Sequence, residues 1–454
     1  MYVRTLLTLT LLGAACSNSQ STPPAPQPAT TASARQAAQP APPPAAICQA
    51  SPSWITSPNP PSEIAPDETF CDFYQFSWQW FLAQVSPSDP RNPAGDRVFE
   101  ATNRVVVPDG GSNQCAQNGV MGRAAAIRAL AIRTVKPDDF EQTQADGNPL
   151  YDQGGNVLYY NMWYSPQECG ATSTGFTTGT LELKTAWRVL ATPDQTYFMI
   201  KATVPIVSST GVKSDKQVIL GLVGFHLVNW TSKHPEMIWA TFEHKANAPL
   251  CAGTSATPAN GWSLASSAAA QCLAKTPSPN GKLPAACASF DFNNPAKQGN
   301  VVPTSGTPDE VCQLFKDGTD STPAVNGNDN AANALAIDQL NQALVGPSGL
   351  LSALPASDAM AVWANYQMVG GLWTKGGQAS GPVPPVPSTQ PGSPNAASPQ
   401  RGSLELANTT METYEQGPTS AVPNCFGCHN YDPRTPLAVS HITGLILPPK
   451  TAAP

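Results

Sequence analysis

The chain has 454 residues, with 24 Lys and Arg against 31 Asp and Glu, a formal net charge of −7 and only 12% charged residues. A negative surface repels phosphate, which excludes nucleic-acid binding driven by net charge. Hydrophobic residues at 41% exclude wholesale disorder, whereas 48 prolines require extended stretches somewhere in the chain.

Residues 1–15 run from Arg4 through the apolar stretch around Leu6, Leu9 and Leu12 to Gly13-Ala14-Ala15, directly before Cys16. This pattern reads as a short export signal. It resembles a bacterial lipoprotein signal, in which the cysteine after small residues is lipidated and becomes the mature N-terminus. The resemblance implies a lipid on Cys16. With Ser17 rather than Asp next, it also implies anchoring to the outer membrane, in the periplasm or at the cell surface. Cleavage by an ordinary signal peptidase is the alternative. Residues 16–46 then form a tether: 21–45 hold eight prolines and one charge, Arg35, a composition that makes a semi-rigid spacer and buries no core.

A body is expected over 47–375. Residues 69–85 contain Phe70, Phe73, Tyr74, Phe76, Trp78, Trp80, Phe81 and Leu82 with no Gly or Pro, which predicts a buried helix capped by Asp67 or Thr69. Period-two alternation predicts strands at 180–190, 197–207, 217–230 and 236–244, separated by turn residues and arranged as an antiparallel meander. Residues 246–330 turn polar and read as long loops. Helical periodicity returns at 331–345 and at 357–369. Residues 376–400 have seven prolines and no charge, and read as a second linker.

Eleven cysteines suit an exported protein. With Cys16, Cys425 and Cys428 set aside, Cys48, Cys71, Cys115, Cys169, Cys251, Cys272, Cys287 and Cys312 allow four disulfides in any of 105 pairings. None of these eight has the close spacing of a zinc site.

The most specific chemical signal lies in the last segment, 401–454, where Cys425-Phe426-Gly427-Cys428-His429 forms C-x-x-C-H. This is the attachment signature of c-type haem. Two thiols at this spacing add across the two vinyl groups of the porphyrin, and the adjacent imidazole reaches the iron. A thioredoxin-like pair needs a strand-to-helix setting and depressed thiol pKa values, and a short-loop disulfide is the remaining alternative. On these residues and the export signal, the chain resembles c-type cytochromes of the bacterial periplasm. The resemblance implies one covalent haem c on Cys425 and Cys428, His429 as proximal iron ligand, and single-electron exchange with a periplasmic redox partner.

The ligand across the iron is left open by the sequence. His441, 12 residues after His429, is the first candidate. His244 and His226 lie in apolar strands, with Glu243 available as an acid–base neighbour; Met411 and Met368 are the thioether alternatives, and an open position is the last. An open position would suit a haem enzyme, peroxidase- or oxidase-like, whose body binds an organic substrate. The overall expectation is an α+β protein: an antiparallel β-rich body with peripheral helices, disulfide-stapled loops and a C-terminal covalent haem segment.

Overall fold

The computed structural model describes residues 47–106, 114–116, 148–252, 255–275, 283–294, 302–319, 328–377, 399–416, 424–429 and 431–447. The signal, Cys16, the tether and most of the proline-rich linker lie outside the described residues. Residues 47–454 make up one compact unit.

Its centre is an eight-stranded antiparallel sheet: β1 (Arg104–Val105), β2 (Tyr159–Tyr164), β3 (Leu181–Leu190), β4 (Met199–Val207), β5 (Lys213–Asn229), β6 (Ile238–His244), β7 (Tyr366–Thr374) and β8 (Gln400–Gly402), in the order β1-β2-β3-β5-β6-β7-β8. The antiparallel body is as expected, but the meander is not simple. β3 pairs along its whole length with β5, from Leu181 opposite Asn229 to Leu190 opposite Ile219, and skips β4. The 17-residue β5 carries two neighbours on its other edge, β4 along its first half and β6 along its second. Sequence alternation locates strands, but it does not reveal that one strand is long enough to serve two partners.

Side chains alternate between the two sheet faces. Leu183, Phe225, Leu227, Ala240 and Phe242 enter the main core with Phe73, Trp78, Phe81, Ile337 and Leu340 from two helices, Phe70–Val85 and Asn330–Val345. The first begins at a capping box, where the Thr69 hydroxyl accepts from Asp72 N and Asp72 accepts from Thr69 N at 2.8 Å. Phe81 stacks on Phe242 at 4.0 Å, so the aromatic run anchors the core.

One expected helix is corrected. Within 357–369 the backbone makes only a 3₁₀ turn, Ala361–Asn365, and then enters β7. Gly370 and Gly371 weaken a helix, and the sheet offers a close approach: a Cβ at Gly370 would overlap the Ser403 side chain.

All eight body cysteines pair, as Cys48–Cys71, Cys115–Cys169, Cys251–Cys312 and Cys272–Cys287. The last two staple the polar 246–330 region, where the described residues form the α-helix Ser267–Lys275 and the 3₁₀ turns Ala285–Phe290 and Lys316–Gly318. Cys251 and Cys312 close a sequence separation of 61. Replacing both by Ser therefore frees a long loop in the unfolded chain and lowers stability by about 4 kcal/mol, read from unfolding free energies extrapolated to zero denaturant, with a steeper slope because the unfolded chain expands.

Candidate functional site

The second face of the sheet is covered by the C-terminal segment. β8 continues the sheet from β7. Beyond it Leu404, Leu406, Phe426, Tyr431 and Val439 pack with Val228, Trp239, Val369 and Leu372. The 408–412 stretch lies directly on β5, where a Cβ at Gly224 would collide with the Thr410 hydroxyl. Glu243 fixes the same stretch. Buried, it accepts hydrogen bonds from Thr409 N at 2.7 Å and from the Thr409 hydroxyl.

The motif forms a tight 3₁₀ turn, Cys425–Gly427, entered from Asn424. Asn424 Nδ2 donates to Gln400 Oε1 at 2.9 Å and Leu404 O at 2.8 Å, while its Oδ1 accepts from Phe426 N at 3.1 Å. His429 N donates to Cys425 O at 2.8 Å. One turn thus presents both thiols and the imidazole together. Unlike the eight paired cysteines, Cys425 and Cys428 remain thiols.

These groups border a cavity of about 390 Å³, within the size range of small-molecule and cofactor sites. Its wall is built by register. Met162, Lys184, His226 and Thr241 are successive cross-strand neighbours on β2, β3, β5 and β6, and the next row places Glu182, Val228 and Trp239 beside them. Leu406, Ile442 and Leu445 contribute from the covering segment, so most of the lining is apolar.

The His429 ring makes a tilted contact with Trp239, at 4.4 Å between centroids and 43° between planes, and stacks on His441, at 4.0 Å and 24°. Its Nδ1 lies 2.9 Å from Val439 O. A carbonyl only accepts, so Nδ1 carries the proton and Nε2 keeps its lone pair for the cavity. Burial, then the neighbouring His441, push its pKa down to about 3, so the ring is neutral at neutral pH. A backbone carbonyl on the far nitrogen is the arrangement that orients an imidazole toward a metal.

Burial, then Glu412, push the Cys425 thiol far up; burial, then Glu415 and Glu412, raise Cys428. Both are therefore protonated, the opposite of a reactive thiol–disulfide pair. Among the described residues no three His, Cys, Asp or Glu side chains converge to hold a metal ion. A haem iron takes four nitrogens from its porphyrin and needs only one or two side chains. The thiols, the free Nε2 and the apolar cavity fit that group.

The sequence candidates for the other axial position fall in different places. His441 stacks face to face on His429, and so stands beside it rather than across from it. His226 borders the cavity inside a closed hydrogen-bond ring. Asn408 Nδ2 donates to Thr241 Oγ1 at 2.7 Å, Thr241 meets His226 Nδ1 at 2.9 Å, His226 Nε2 meets Glu412 Oε1 at 2.9 Å, and Asn408 N donates to Glu412 Oε2 at 3.0 Å. Burial alone would raise the Glu412 pKa, but His226, Lys184 and the Asn408 amide together outweigh it and hold the carboxyl below its usual range. His244 lies on the other face, stacked on Tyr197 at 3.9 Å, and burial lowers its pKa to about 4. Met411 packs with Leu150, Val223 and Leu264, and Met368 is in the main core.

Two groups on the wall escaped the sequence reading. Glu182 faces the cavity beside buried Glu168, within reach of Ser440; burial raises Glu182 to about 7 against the lowering effect of hydrogen bonds to Ser440 and Glu168, and burial, then Glu182, raise Glu168 well above the usual range. Met162 stands at the β2 end of the cross-strand row. The alternation Tyr160, Met162, Tyr164 marks its strand in the sequence.

No helix among the described residues is long and apolar enough to cross a membrane. No model of a known protein family matches the chain, and neither a curated protein nor a solved structure does.

Proposed function

We propose that this chain is an exported monohaem c-type protein of the periplasm. In this reading it carries haem c on Cys425 and Cys428 with His429 as proximal ligand, passes single electrons to a periplasmic partner, and is held at the outer membrane through Cys16. The observation that carries the reading is the single turn that puts two protonated thiols and an imidazole with a free Nε2 at the wall of an apolar cavity. When bound, the haem supplies one-electron chemistry between ferric and ferrous iron. The chain's own part is to hold and tune. Cys425 and Cys428 fix position covalently, Val439 O fixes the tautomer of His429, Trp239 and His441 fix its ring plane, and Leu406, Val228, Ile442 and Leu445 exclude water.

A haem enzyme is the second reading, favoured by the polar groups Glu182, Lys184 and Glu412 on the cavity wall. The test is His429→Ala, prepared with a c-type maturation system. The variant keeps haem through both thioethers but loses its proximal nitrogen, so the oxidised spectrum changes while haem staining of the denatured chain persists. An unchanged spectrum would refute His429 as ligand.

A further inference from the structure

Resting on the proposed haem, the geometry points to Met162 as the ligand across the iron from His429, giving a six-coordinate His/Met centre. His441 is stacked on the face of His429 at 4.0 Å. A ring in that position lies on the same side as His429 of any flat group bound to Nε2, and two rings at stacking distance leave no gap for a third between them. His226 has both nitrogens committed within the ring formed by Asn408, Thr241 and Glu412. Ligation would break that ring and leave the Glu412 carboxylate without its imidazole partner, a costly outcome for a half-buried charge. Lys184 Nζ sits over the Tyr160 ring, 5.7 Å from its centroid.

Met162 is the remaining soft donor. It is the one methionine on the cavity wall among the described residues, half-buried, and no hydrogen bond engages its sulfur. It also stands at the opposite end of the cavity wall from Trp239. Trp239, which holds His429, is on β6, and Met162 is three strand spacings away on β2, roughly 14 Å across the sheet. Between them the floor consists of Glu182 and Lys184 on β3 and His226 and Val228 on β5. Ile442 from the covering segment packs near Met162. Thioether sulfur binds haem iron and raises its reduction potential relative to a second imidazole.

The test compares wild type with Met162→Leu, which keeps side-chain volume and removes the sulfur, both matured with haem. Haem staining of the denatured chain is read first. If wild type carries no covalent haem, the haem reading itself fails and this inference with it. With haem attached, wild type shows a low-spin spectrum and a thioether-to-iron charge-transfer band. Met162→Leu loses that band, turns high-spin, binds added azide and has a lower reduction potential, with staining unchanged. A Met162→Leu spectrum identical to wild type, or a wild type already high-spin, would overturn the inference and leave the covalent haem standing.

Discussion

Replacing Cys425 and Cys428 together by Ser is expected to abolish covalent haem and leave the body folded. Attachment needs thiols, because only sulfur adds to the vinyl groups, and a hydroxyl of nearly the same size does not. The body does not need them. Cys428 is exposed and Cys425 half-buried. Ser at 425 gives up part of a small apolar contact in the cluster around Trp239 and Phe426, a cost of order 1 kcal/mol. The turn itself rests on Asn424, whose bonds to Gln400 and Leu404 are untouched. Far-ultraviolet circular dichroism and melting temperature should stay near wild type while haem staining disappears. Each single variant should keep haem through one thioether.

Stability is expected to fall as pH rises from 5.5 to 8. Burial lifts Glu182, Glu243 and Asp317 to about 7 and Asp309 to about 6, and lifts Glu168 as well. Between the ordinary carboxylate range and 7 the folded chain therefore holds protons that the unfolded chain has released. Each pH unit of rise through that window costs about 1.4 kcal/mol for each such group. Two histidines oppose this. Burial lowers His244 to about 4 and His429 to about 3, so each adds stability as pH rises toward 6.5 and nothing beyond it. The carboxyls outnumber them below 6.5 and act unopposed from there to 7. Glu182→Gln imitates the protonated side chain and removes the repulsion with Glu168. Its stability advantage over wild type should already be about 1 kcal/mol at pH 5.5 and grow by roughly 2 kcal/mol up to pH 8. A variant with the same pH slope as wild type would show that Glu182 ionises freely in the fold.

Local features were legible in the sequence. The Thr69 cap, the aromatic helix and most of the strands depend on near neighbours, and each appears where composition and period put it, whereas the pairing of the eight body cysteines, one across a separation of 61, is not local. What could not be read is long-range register. The cavity wall exists because β3 skips β4 and pairs with β5, which aligns Met162, Lys184, His226 and Thr241 across four strands. No local pattern encodes that row. For the same reason His441 looked like the natural partner of His429, since chain length allows it to wrap around, whereas the 3₁₀ turn Pro436–Val439 brings it back against the ring face. Glu182 and Lys184, alternating with Leu181 and Leu183 on β3, were the available sign that this strand borders a cavity and not a dry core. β7 was misread because helix-forming Ala and Met residues surround it, while its two glycines answer to packing against Ser403 and Tyr74.

The central claim is one haem joined covalently through Cys425 and Cys428. Peptide mass analysis of the wild-type chain, matured with haem, denatured and digested on either side of 424–429, tests it most directly. The account predicts a single haem on the peptide containing both cysteines, with the eight other body cysteines still paired. A haem-free peptide with Cys425 and Cys428 joined to each other would contradict it and reduce the motif to a small disulfide loop.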